Sequence, residues 1–376
     1  ILVAQNLWLS RYYQTTQPVP GGIYQEGVIG RFTTANPLFA TTDADASVSR
    51  LVFAGLLTYD HNGKLVPDLA NDWSVDEKGS TYTIHLKPGL TWQDGQPLTS
   101  EDVVFTYKTI QNPDVQSPLK SAWEGIDISA PDKSTIVFKL PGGLAAFPTS
   151  LTTGIVPQHL LKDVEPSDLR TADFNTVNPV GAGPFKWDAI DVKGSGDPQK
   201  TEVRIALNPF VAYASGEPNL KKFVLNIFAD KQQMIDQFKA GQLNGIEGLT
   251  DMPDDLKNKG GMVTNNLNAS AANMVFFKTS SGVLADVAVR NAIVKATNVS
   301  EVTKQLDYNP RLIRSPILPG QVGYDASVLQ PAFNLKAAQQ SLDAAGWTVG
   351  KNGVRAKGNQ KLQFTLSVAN TDEYRT

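Results

Sequence analysis

The chain has 376 residues, 41% of them hydrophobic and 19% charged, with 34 basic against 37 acidic side chains and a formal net charge of -3. That is enough for two or three folded domains, and the near balance of charge excludes nucleic acid as a main partner, because such proteins carry a basic excess. Cysteine is absent, which removes disulfides, thiolate metal sites and a cysteine nucleophile, and the three histidines, His61, His85 and His159, are too far apart to pair at metal-ligand spacing. No metal or cofactor is expected.

The chain opens with ILVAQNLWLSRYYQTTQPVPGG, an apolar start followed by Trp8, Tyr12 and Tyr13 near Arg11 and then by proline and glycine. No run of 18 apolar residues is present, but this order matches the outer end of a membrane helix, its interfacial aromatic residues and a linker. Residues 1–21 are therefore expected to be a membrane-anchor stub or linker, with a short amphipathic helix as the alternative. GIYQEGVIG (22–30) reads as a strand. The acidic residues Asp43 and Asp45 then suit the start of a helix carrying Val48, Leu51, Val52, Leu56 and Leu57 at helical spacing.

A mostly β region follows. Tyr82, Ile84 and Leu86 alternate with polar residues, and STIVFKL (134–140) is a second strand. Between them the pattern predicts a helix from about Ser100 to Gln111. The stretch LTWQDGQPLTSEDVVFTY (90–107) poses a chemical question, since Asp94 stands before a glycine in a turn. Gly95 suits a positive φ, Thr99 and Asp102 approximate a capping box, and Glu101 and Asp102 favour the positive end of the helix. Each acidic residue has a structural role, so Asp94 is read as architecture rather than as a catalytic acid.

NPVGAGPFKWDAI (178–190) is a turn leading into a strand, KFVLNIFAD (222–230) another strand, and KQQMIDQFKAGQLNGI a helix ended by Gly241. Further on, ANMVFFKTS (272–280) reads as a strand and VLADVAVRNAIVKATN as an amphipathic helix. NLKAAQQSLDAAGW (334–347) is a helix with a C-terminal glycine, and QKLQFTLSVAN a final strand. No G-x-S-x-G elbow, H-E-x-x-H motif or P-loop occurs, and GAG and GSG are too short to cradle phosphate, so the chain is not read as an enzyme.

Taken in order, these segments resemble the solute-binding proteins of ABC importers, in the family of oligopeptide-, dipeptide- and nickel-binding proteins. The stretch from FAGLLTYDHNGKLVPDLANDW to TSEDVVFTY is similar to the family's signature region. GIVPQHLL, NPVGAGPFKW, DKQQMIDQFKAGQLNGI, VFFKTSSGVLADVAVRNAIVKATN, SPILPG and NLKAAQQSLDAAGW follow in the family's order, so the likeness covers roughly residues 22 to 376. Asn244 stands where members usually have aspartate in the GQLNG turn. LSVANTDEYRT resembles the strand after which members continue with more helices and strands, so the chain is expected to be incomplete at its C-terminal end or a short divergent member.

The resemblance implies an α/β, two-lobed periplasmic-binding-protein fold of class II type with an extra β-rich domain. The expected layout is lobe I at 22–48 and 151–267, the β-rich insertion at 49–150, and an incomplete lobe II at 268–376. It implies an extracytoplasmic substrate-binding component at the cell surface or in the periplasm, monomeric and membrane-anchored. This component captures oligopeptides by hinge closure and passes them to ABC permease subunits. Alternatives with the same fold are a ligand-presenting sensor or a binder of an oligosaccharide or a nickel chelate. By position, the expected ligand contacts are Arg31, Phe32 and Thr33 in the loop after the first strand, Trp123 as a cleft wall, with core packing as its alternative, and Asn268, Ser270 and Asn273 near the lobe crossover. For a fragment lacking part of the second lobe, weak or absent binding is expected.

Overall fold

The computed structural model describes residues 20–194, 201–249, 253–257, 261–264, 273–305, 312–317 and 324–368. The expected anchor at 1–21 lies almost wholly outside them. Among the described residues no helix is long and apolar enough to cross a membrane. The chain divides into two compact units after Leu249, ahead of residue 268, where the sequence pattern starts the second lobe.

The first unit is built on a five-stranded sheet. β1 (Ile23–Ile29) lies between β11 (Gly245–Glu247) and β10 (Lys222–Phe228), parallel to both, and β9 (Glu202–Pro209) and β8 (Phe185–Lys193) continue the sheet antiparallel. Side chains alternate across β1 as strand geometry requires. Val28 joins the main core with Val48 and Val52 of helix α1 (Asp43–Val52), while Ile29 packs on the cluster of Phe228, Met234 and Leu243 under helix α3 (Lys231–Lys239). Gly27 faces α3 so closely that a Cβ there would lie 2.8 Å from both Met234 Cγ and Leu243 Cδ1. The two helices therefore cover opposite faces.

Helix α1 is one turn shorter than the spacing predicts. It is capped by Thr42, whose side chain accepts from Asp45 N, and it stops at Val52, after which Phe53 is extended. Leu56 and Leu57 are buried but not helical; Leu57 opens β2 (Leu57–Tyr59), which pairs with β3 (Leu65–Pro67). Gly55 explains the break: a Cβ there would sit 2.7 Å from the Thr152 carbonyl oxygen, so the chain is held against residues 151–152 instead of continuing to coil.

The β-rich region forms a four-stranded antiparallel sheet, β4 (Ala70–Val75), β5 (Thr81–Leu86), β7 (Thr135–Lys139) and β6 (Asp127–Asp132) in that spatial order. Helix α2 (Ser100–Gln111) has the capping box expected from Thr99 and Asp102, with both reciprocal bonds present. Its buried face packs Tyr107 on Trp123 and Phe138, with ring centroids of the Tyr107–Trp123 stack 4.0 Å apart, and Phe147 packs in turn on Trp123 and Phe138. This region and the five-stranded sheet share one continuous core.

Gln93 joins them. Its side-chain nitrogen lies 3.0 Å from the carbonyl oxygen of Val52, 3.2 Å from that of Gly183 and 2.8 Å from that of Phe185, while its side-chain oxygen accepts from Gly181 N at 3.0 Å. The Gln93 backbone N–H donates to Gly181 O at 3.0 Å and Gly183 N donates to Val52 O at 2.9 Å. The approach is possible because both residues are glycine. A Cβ on Gly181 would fall 1.9 Å from Val52 O, and one on Gly183 would fall 2.7 Å from Val52 C.

In the second unit, helices α4 (Val287–Ala296) and α5 (Leu335–Ala344) pack through Val289, Ala292, Ala338 and Leu342 around Trp347. The indole N–H of Trp347 donates to Asp286 Oδ2 at 3.0 Å, and Asp286 also caps α4. Gly346, at φ +83°, ends α5 as the sequence suggests. A small sheet follows, β12 (Thr348–Val349), β13 (Arg355–Lys357) and β14 (Gln360–Lys361). The strands expected at 272–280 and after 361 are not formed among the described residues. Residues 274–277 form an apolar run and 363–368 alternate, but neither pairs into a ladder among the described residues, and Phe276 and Leu366 are exposed. Alternation alone does not make a strand without a neighbour to pair with.

Two substitutions test the junction. Gly181→Ala is expected to lower unfolding free energy by about 3 kcal/mol or more, because backbone must move to admit the methyl group. Gln93→Leu strands several buried backbone groups and is expected to cost about 2–4 kcal/mol. Gly142→Ala, where a Cβ meets nothing within 4 Å, should unfold with the wild type in the same denaturant titration.

Candidate functional site: the carboxyl ends of the parallel strands

In open α/β sheets, ligands collect outside the carboxyl ends of parallel strands where neighbouring connections leave toward opposite faces. The first unit has one such place. β1 leads to α1 on one face, and β10 leads through α3, on the other, to β11. The loop after β1 therefore lies at the position where a ligand is expected on topology alone.

That loop is fixed from behind by buried polar groups. Asp45, wholly buried in the first turn of α1, accepts the backbone N–H of Thr33 at 2.7 Å, the hydroxyl of Thr33 at 2.7 Å and the backbone N–H of Thr34 at 3.1 Å. Asn36, also buried, donates to Asn175 Oδ1 at 2.9 Å and accepts from Leu38 N at 3.0 Å. Ser117 donates to the Leu38 carbonyl at 2.7 Å. Gly30, at φ +139°, starts the turn, and its N–H donates to Phe228 O at 2.9 Å.

The expected contact residues differ in what they have left to offer. Thr33 is exposed, but its N–H and its hydroxyl proton are both used on Asp45, so toward a ligand it offers acceptors. Phe32 is half-buried and stacks on Trp187 with centroids 6.2 Å apart. Arg31 is exposed, and its guanidinium has no hydrogen bond or ion pair with another described residue. Trp123 is 1% exposed inside the aromatic stack of α2, which is core packing and leaves no face for a ligand. Asn273 is exposed in the second unit, and Asn268 and Ser270 lie outside the described residues.

One feature of this edge is missed by the sequence pattern. Glu26 on β1 and Glu247 at the end of β11 point to the same face, two register steps apart, and Ser47 of α1 donates to Glu247 Oε1 at 2.7 Å. Burial, and then the charge of Glu247, push the Glu26 carboxyl up to about 7. Burial, then Glu26 and Glu247, also raise the Tyr24 phenol. The clue was a glutamate inside the otherwise uncharged strand IYQEGVI. Asp45 carried a second clue, because Thr42 and Asp45 fit a cap while the carboxylate turns outward to the loop.

Asp94 stands apart from this edge. It accepts from Gln96 N at 3.0 Å and pairs with His159 Nε2 at 2.8 Å, next to Gly95 at φ +91°. Burial works against its charge, yet the bonds from His159 and Gln96 hold the carboxyl below its ordinary range. An ionised, doubly bonded carboxylate in a tight turn suits architecture, as read from the sequence.

Two outcomes follow for the edge. Asp45→Ala frees three donors and is expected to cost about 2–4 kcal/mol in denaturant unfolding. For Glu26 the folded carboxyl is raised above its ordinary value of 4.5 to about 7, so ionisation penalises the folded state. That penalty is absent below about pH 4.5, grows between there and about 7, and is complete above. Glu26→Gln should thus stabilise at pH 8 by on the order of 1 kcal/mol, discounted for partial exposure, and lose that advantage at pH 4. Unfolding curves at the two pH values measure it.

A model of the family described as bacterial extracellular solute-binding proteins, family 5 middle, matches residues 64–376. Among similar proteins, Protein XP55 of Streptomyces lividans is 30% identical over 327 residues, covering 86% of this chain and 58% of its own length. The oligopeptide-binding protein AppA of Bacillus subtilis is 27% identical over 358 residues, covering 93% of this chain and 64% of its own. The chain spans less than two thirds of these curated relatives. Among solved structures, AppA of Bacillus subtilis in complex with a nonapeptide aligns with TM-score 0.62 at 24% identity, over 92% of this chain and 68% of that one. NikZ of Campylobacter jejuni in complex with Ni(L-His) aligns with TM-score 0.67 at 23% identity, over 90% and 66%. The mixed α/β fold is that of the two-lobed periplasmic binding proteins, and with the family model matching most of its length, the chain belongs to the bacterial extracellular solute-binding proteins of family 5.

Proposed function

We propose that the protein is the extracytoplasmic substrate-binding component of an ABC importer, that it takes oligopeptides, and that it delivers them to a membrane permease. The observation that carries this reading is the loop after β1. It lies at the carboxyl end of a parallel strand, its backbone is fixed by Asp45 and Asn175, and it leaves the Arg31 guanidinium without a partner among the described residues. A loop already ordered before binding spends little affinity on ordering itself. An unpaired guanidinium suits a carboxylate, which it can hold through two parallel bonds. Relatives named as oligopeptide-binding proteins favour peptide as the ligand class.

The reading assigns binding, not turnover. In this account the peptide is enclosed between the two lobes by hinge closure, and removal of water strengthens each bond to it. The carboxyl ends of β1, β10 and β11 form the first lobe's share of that enclosure. The acceptors of Thr33 and the paired carboxyls of Glu26 and Glu247 suit donors on the ligand, including its amino group. Anchoring at the N-terminus, a monomeric state, and the domain limits 22–48, 49–150, 151–267 and 268–376 belong to the same proposal.

Isothermal titration of the full-length gene product with a pool of short peptides tests it. Saturable binding is expected, and Arg31→Ala should weaken it by about tenfold, the loss of one charge-assisted bond, with unfolding unchanged because the side chain is exposed. Binding that is absent, or indifferent to Arg31, would contradict the reading.

A further inference from the structure

The β-rich region carries a groove lined by no residue of the strand ends. A depression of about 670 Å³ lies between α2, β6 and the stretch 158–169. Ile128, Leu161 and Leu169, buried members of the main core, lie at its floor, and the half-buried Val104, Phe105 and Val164 form its apolar walls. The core side of α2 is Val103, Tyr107 and Ile110; Val104 and Phe105 are half-buried, packed on the edge of the same core and lining the groove.

The charged lining residues are Glu101, Lys108 and Lys162. The two lysines come from different elements, Lys108 from α2 and Lys162 from the end of the short helix Gln158–Leu161. Both are exposed, and neither side chain has a hydrogen bond or ion pair with another described residue. An apolar surface flanked by two unpaired ammonium groups is complementary to one chemical class, an anion with a hydrocarbon body. The volume falls within the roughly 300–1,000 Å³ range of small-molecule sites, and three separate elements wall it.

We infer that this groove binds an amphiphilic carboxylate, its hydrocarbon body on Val104, Phe105 and Val164 and its headgroup against Lys108 and Lys162. The site is separate from the proposed peptide site and does not depend on it. Decanoate is the probe, with decanol as the uncharged control, titrated into the full chain carrying methyl-labelled valine and leucine. Saturable one-to-one binding is expected, with methyl shifts at Val104, Leu161 and Val164. Decanol and the Lys108→Glu, Lys162→Glu double variant should each bind at least about tenfold more weakly than the reference, as loss of a charge-assisted contact implies. Circular dichroism of the variant checks its fold, and a Lys108→Gln, Lys162→Gln pair, expected to weaken binding in the same direction, stands in if the reversal unfolds the protein. No saturable binding, equal affinity for decanol, an unaffected lysine variant, or methyl shifts confined to other regions would overturn the inference. A groove that ignores decanoate but takes a protein segment would overturn it as well.

Discussion

Much of the first unit depends on one amide. Gln93 reaches the end of α1, the turn at 181–183 and the start of β8 at once, and each bond of its side-chain amide is to backbone. Side-chain contacts to side chains tolerate repacking, whereas contacts to backbone fix the path of the chain itself. Gly181 and Gly183 are part of the same constraint, because any side chain at either would occupy the space of the Val52 and Phe53 backbone. The junction thereby sets where α1 stops, and α1 carries the aspartate that holds the loop after β1.

The same logic recurs along the edge of the inserted region. Asp68, buried and accepting from Tyr213 and Ser215 at 2.9 Å each, ties residues 213–215 to the turn before β4, and Lys87 donates to the Ala214 carbonyl at 3.0 Å. Asp102 accepts from Thr99 N and also from Gln158 N, so the capping residue of α2 also holds the segment that follows residue 154. Burial raises both carboxyls, and their hydrogen bonds oppose that shift. A chain without cysteine thus fastens its β-rich insertion to the sheet with buried, hydrogen-bonded polar groups. Such groups are costly to disturb singly because each leaves a partner stranded. The consequence for function is rigidity in the scaffold behind the loop, with polar groups free on its outer side.

The elements legible in the sequence were those with local causes. β1, α2 with its capping box, α3, α4 and α5 with its terminal glycine follow from periodicity and caps, which act over a few residues. The family resemblance was legible too, since it rests on motifs in order along the chain. What escaped was set by distant partners. Leu56 and Leu57 keep helical spacing but are pulled into a strand by the approach of Gly55 to Thr152. Residues 274–277 carry the apolar run of a strand yet pair with no strand among the described residues. Trp123 carries no local mark that separates a cleft wall from a core stack, and only Tyr107, Phe138 and Phe147 around it decide. At the candidate site, Arg31 was legible from its place after the first strand. Asp45, Asn175 and the Glu26–Glu247 pair were not, because their roles arise from contacts 11 to 200 residues away along the chain, such as Thr34 to Asp45 and Ser47 to Glu247.

On the proposed reading, the protein carries peptides at the ends of its parallel strands. Native mass spectrometry of the full-length gene product, purified without refolding, tests it most directly, followed by denaturation and sequencing of whatever is released. A set of added masses that resolve into short peptides of varied sequence is expected. A single non-peptide mass, or a protein that carries nothing and takes up no added peptide, would contradict it.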